Sequence, residues 1–109
     1  PDLRHLDLSD RELGPKAARL LVEPKFAALR RLGLQGCGMT DAALKALARS
    51  PTLRELIQLD LRRNRLGAGA EILADPAVLP RLASCTLGGN VIPAPAARRL
   101  RRRPGVRLR

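Results

Sequence analysis

Aromatic side chains are nearly missing from this chain: Phe26 is the only one in 109 residues, and there is no Trp or Tyr. A core built from it is therefore aliphatic, and the stacking platforms typical of single-strand nucleic-acid recognition are excluded. Cysteine occurs twice, at Cys37 and Cys85, and histidine once, at His5. That is too few ligands for a structural metal site, and neither a metal nor a cofactor is expected. No apolar run approaches the about 20 residues that a membrane helix needs. The chain begins at Pro1 and its only methionine is Met39, so it reads as a fragment with any upstream targeting signal out of view; the expected location is cytoplasmic. Acid is scarce in the second half. Residues 61–109 carry eleven basic side chains but only Glu71 and Asp75, against ten basic and eight acidic in 1–60, which places the net charge of +11 towards the C-terminus. Eighteen of the basic residues are Arg, a skew that a GC-rich coding genome produces without any binding role.

What the chain does have is leucine at fixed intervals. Leu56-Ile57-Gln58-Leu59-Asp60-Leu61-Arg62-Arg63-Asn64-Arg65-Leu66 reads L-x-x-L-x-L-x-x-N-x-L, which matches the leucine-rich-repeat signature. The spacing has a mechanical reason. Leu59 and Leu61 point the same way from a short strand, and Asn64 is placed to bond neighbouring backbone where the chain turns away. The same template fits from Leu3, Leu29 and Leu82, at separations of 26, 27 and 26 residues. Arg11, Cys37 and Asn90 fill the Asn position in those copies, and Cys85 fills one of the leucine positions.

That period leaves room for a strand, a turn, about three turns of helix and a return loop. Thr40-Asp41 supplies an N-cap and a first-turn acid ahead of Ala43, Ala46 and Leu47 on one face. Gly14-Pro15 opens the equivalent helix with Ala17, Leu20 and Leu21, and Gly67-Ala68 precedes Ala70, Leu73 and Ala74. Pro24, Pro51 and Pro76 end these segments. In the last copy Pro93 and Pro95 crowd the helix start, and Arg99 falls where Leu20, Ala46 and Leu73 are expected to face inward. The spacing therefore predicts a terminal cap over 93–109 with a polar outer side, closed by a short strand at Val106-Arg107-Leu108.

Leu32-Gly33-Leu34-Gln35-Gly36-Cys37-Gly38-Met39-Thr40-Asp41 and Leu59-Asp60-Leu61-Arg62-Arg63-Asn64-Arg65-Leu66-Gly67 resemble the alternating Cys-type and Asn-type units of the ribonuclease-inhibitor-like leucine-rich repeats. This subfamily is shared with the Ran GTPase-activating protein and NOD-like receptors. The chain also resembles repeat arrays of GC-rich bacteria whose last repeat runs into an Arg-rich ending. Arg11 in the Asn position, Cys85 in a leucine slot and slightly short repeats depart from the pattern. The resemblance covers essentially all of 1–109. It implies an α/β leucine-rich-repeat solenoid of right-handed strand-helix units, about 3–28, 29–55, 56–81 and 82–103, with a parallel sheet on the concave face.

Such a sheet presents the residues that the motif leaves open. Aligning the copies gives columns His5/Arg31/Gln58/Ser84, Asp7/Gly33/Asp60/Thr86 and Ser9/Gln35/Arg62/Gly88, a mixed polar groove. The expected partner-binding residues are His5, Asp7, Arg31, Gln35, Gln58, Asp60, Arg62 and Arg63, facing a protein of unstated identity through complementary charge. A second feature is the run Arg98, Arg99, Arg101, Arg102 and Arg103, a candidate anion site; with no nucleic-acid module in the sequence, nucleic acid is disfavoured against a solvated cap. The cysteines lie two repeats apart, about 10 Å at ordinary strand spacing, too far for a disulfide. Both are expected as free thiols, Cys37 bonded within the turns and Cys85 filling the core. His5 and Asp7 have no nucleophile beside them, and no phosphate-binding loop is present, so no catalysis is expected. The leading expectation is a non-enzymatic interaction module. A regulator of a small GTPase, resembling a GTPase-activating protein, and an electrostatic tether to nucleic acid or anionic membrane are the alternatives. The uncapped edge at Leu3, Leu6 and Leu8 is a candidate for self-association.

Overall fold

Alternate apolar residues, Leu6, Leu32, Leu59, Cys85 and Val106, turn one side of each short strand inward, and backbone pairing with the neighbouring strands does the rest. The computed structural model describes residues 2–109. Five strands, β1 (His5–Asp7), β2 (Arg31–Gly33), β3 (Gln58–Asp60), β4 (Ser84–Thr86) and β5 (Val106–Arg107), form one parallel sheet in chain order. The chain is thus an α/β protein. Leu6, Leu32, Leu59 and Cys85 are consecutive register partners, so the 26- and 27-residue intervals of the sequence become the rungs of the sheet. Val106 continues that row against Cys85, and Arg107 stands opposite Thr86. The closing strand expected at 106–108 is present, shorter by one residue.

The helical segments lie between the strands. Helices α1 (Lys16–Leu21), α2 (Asp41–Arg49) and α3 (Ala94–Leu100) occupy the first, second and last connections. Thr40 caps α2, its hydroxyl accepting from the Ala43 N–H at 3.3 Å. In the third connection Ala68–Ala74 is a 3₁₀ helix rather than the expected α-helix. Gly67 and Gly69 weaken its start, and no side chain of its own caps it. Instead the Asp41 carboxylate, one connection earlier, accepts from the Gly67 and Gly69 N–H groups, both at 2.9 Å. Short 3₁₀ turns at Pro24–Phe26 and Pro51–Leu53 begin at the prolines that end the helices before them.

Two helix-face expectations are corrected. In α2 the buried set is Ala43, Leu44, Leu47 and Ala48, with Ala46 exposed. In α3, Arg99 is exposed and Leu100 is buried in its place. The helix presents position i+4 from its first buried alanine, not i+3, so no arginine at 99 is forced inward.

Asn64 ties the units together as its motif position predicts. Its side-chain oxygen accepts from the N–H groups of Cys37 at 2.9 Å and Met39 at 3.0 Å, and its amide donates to the carbonyls of Leu34 and Leu61, each at 2.9 Å. Asn90 repeats this against Leu66, Leu61 and Leu87. Cys37 fills the same role with a thiol donating to the Leu8 carbonyl at 3.0 Å.

Candidate functional site

The residues that point away from the aliphatic core meet on the outer face of the sheet. There β1 to β4 form an open groove of about 500 Å³ whose lining includes His5, Asp7, Arg31, Gln35, Gln58, Asp60 and Arg62. Seven of the eight expected partner-binding residues are therefore brought together. Arg63 is the exception: its backbone is in the left-handed region, φ 54°, and its side chain packs beside Gly89 in the turn, away from the groove. Alternation along a strand predicts facing only while the chain stays extended, and here it has already turned. Asp10, φ 64°, enters the lining for the same reason, with no signal in the strand pattern.

The middle of the groove is bonded together across β3 and β4. The Arg62 guanidinium donates from Nε to Asp60 Oδ1 at 3.0 Å and from Nη2 to Oδ2 at 2.8 Å, while the Thr86 hydroxyl donates to Oδ1 at 3.1 Å. These donors, Arg62 first, hold the Asp60 carboxyl below the usual range, and the carboxylate in turn raises the Arg62 pKa. At the β1 end the Ser9 N–H donates to Asp7 Oδ1 at 3.0 Å, and bonding to Ser9 lowers the Asp7 pKa. Gly33 lies between the two aspartates, and a Cβ there would stand 2.7 Å from Asp7 Oδ1. Glycine leaves room for Asp7 to lean over β2. Both aspartates are anionic near neutral pH, so the groove offers fixed negative charge beside the cations Arg31 and Arg62.

The C-terminal arginines separate into different environments. Arg98, Arg101 and Arg102 are exposed. Arg99 is exposed but paired with Glu71. Arg103 is not part of an anion-binding cluster: it is only 7% exposed. Its guanidinium donates to the carbonyls of Leu73, Asp75, Val78 and Leu79 at 2.7–3.0 Å. Burial lowers its pKa, yet the four acceptors satisfy the charge.

Both cysteines are free and buried. Burial raises the Cys37 pKa and pushes Cys85 up to about 12, so each stays a protonated thiol near neutral pH. Among the described residues no group of three or more His, Cys, Asp or Glu side chains could hold a metal ion, and no helix is long and apolar enough to cross a membrane. No protein-family model matches the chain, and no curated protein matches it.

Proposed function

We propose that the chain is a leucine-rich-repeat solenoid of the ribonuclease-inhibitor-like type and acts as a non-enzymatic interaction module, binding a protein partner across the outer face of its sheet. The observation that carries this reading is the groove itself. Its lining is mainly polar and in register across four strands, and Asp60, Arg62 and Thr86 are bonded to one another, so a partner meets a surface whose centre is already arranged. Repeat scaffolds use such extended faces for binding. The half-exposed apolar edge at Leu3 supports self-association as a secondary property.

A photo-crosslinking residue at Gln58 in the groove, compared with one at the exposed Lys45 on α2, tests the reading. A partner captured from position 58 and not from 45, and lost in the Asp60→Ala/Arg62→Ala variant while that variant still unfolds in one cooperative transition, supports it. Equal capture from both positions, or capture indifferent to the double substitution, counts against it.

A further inference from the structure

Between neighbouring strands of this sheet the same bonds recur. A core-facing residue of one strand donates its N–H to the carbonyl of an outward-facing residue in the next, as Leu34 does to Asp60, Leu61 to Thr86, and Leu87 to Arg107. In β5, Gly105 and Arg107 use their carbonyls to accept from β4. By the alternation of a parallel ladder, the Val106 carbonyl and the Leu108 N–H then point away from β4. These are the groups with which every earlier strand receives its successor. Among the described residues no strand pairs with that side of β5.

The edge is also selective in charge. Beside it lies an open groove of about 480 Å³ lined by Arg101, Val106, Arg107, Leu108 and Arg109. Val106 and Leu108 are partly buried and continue the core-facing row. The three arginines are exposed, no acidic side chain lines the groove, and no acid occurs after Asp75. Arg107 stands in register with Thr86, on the face that carries Asp60. Edge charges ordinarily keep sheets apart, and here they repel a second copy of a chain with a net charge of +11. The same charges attract a strand of opposite sign.

We propose that the free edge of β5 takes an extended acidic peptide segment as a sixth strand, with acidic residues opposite Arg107 and apolar residues opposite Val106 and Leu108. Backbone bonds would supply the pairing, and Arg101, Arg107 and Arg109 the selectivity. This site is separate from the groove over β1 to β4 and does not depend on its use.

The test is fluorescence anisotropy of the full chain with a labelled octapeptide of alternating Glu and Val. Three further probes are used: the Lys/Val analogue, and two forms of the acidic peptide N-methylated either at every Glu or at every Val. Methylation keeps every carboxylate but removes the backbone donors that one phase of pairing needs. Binding of the acidic peptide, with at least a tenfold loss in one methylated form, supports strand addition; the Glu phase marks parallel pairing and the Val phase antiparallel. Leu108→Pro removes the outward N–H together with a leucine side chain that packs on the core, Leu108→Ala removes the side chain alone, and Arg101→Ser/Arg107→Ser removes charge; the proline and the double serine variants are each expected to weaken binding at least tenfold, the alanine variant less than the proline one, with folding checked by thermal melting. The proposal is overturned if both methylated peptides bind like the parent, if the Lys/Val peptide binds as well, or if an oligothymidylate of equal charge displaces every form alike. Oligomerisation of the unliganded chain that Leu108→Pro abolishes would assign the edge to a second copy and overturn it too.

Discussion

Arg103 and Arg102 are neighbours with opposite fates. The first closes four carbonyls that end the preceding connection, and the second is solvated. Removing the buried guanidinium strands several acceptors at once, so Arg103→Met is expected to cost roughly 2–4 kcal/mol, while Arg102→Met stays within about 0.5 kcal/mol, both read by urea denaturation. Equal effects would mean that the clasp is not a source of stability. Nothing in the local sequence marks Arg103, because its acceptors lie 24 to 30 residues earlier. Asn64 was legible, since its role is fixed by position within its own motif. Asp60 adds a pH dependence. Its folded pKa lies below the usual 3.8, so its contribution is fully present above that value and is lost as pH falls through the folded pKa. Stability is therefore expected to fall below about pH 4, and Asp60→Asn should flatten that limb of a pH series; an unchanged limb would assign the loss to other carboxylates.

At the scale of elements, the strands followed the leucine template closely and the helical connections less so. A strand's inward row needs only a period of two, and each copy of the motif states it outright. The third connection depends instead on Asp41, a residue of α2, reaching across to Gly67 and Gly69, and no reading of residues 67–75 alone contains that. The dependence is steric as well as polar: a Cβ on Gly69 would lie 2.5 Å from Asp41 Cβ and 2.6 Å from its Cγ. Gly69→Ala gains helix propensity but must displace the carboxylate that caps the turn. The steric term is expected to win, with a loss of roughly 1–3 kcal/mol. A gain in stability, together with a longer helix by circular dichroism, would show that Asp41 yields freely.

Over the whole molecule, which extends 41 × 27 × 19 Å, charge is spread unevenly along the sheet order from β1 to β5. The first 28 residues hold five basic and five acidic side chains, whereas the acid-free ending from 82 onward holds seven arginines. The half-exposed Leu3 and the partly buried Leu6 and Leu8 lie on β1 or beside it, at the charge-balanced end. Two chains meeting there bury apolar edge while their basic ends stay apart, but a total of +11 on each still opposes approach over a Debye length of about 20–25 Å at 20 mM salt. At 500 mM that length falls to about 4 Å, repulsion is largely screened, and burial of apolar surface is left as the deciding term. Sedimentation velocity is therefore expected to show a monomer at 20 mM salt and a concentration-dependent dimer at 500 mM. Leu3→Asp, at a residue 43% exposed and so of little consequence for the core, should abolish the dimer. Dimerisation that weakened with salt would mean opposite charges hold the pair, and would move the contact from β1 to a pairing of the groove's aspartates with the basic ending.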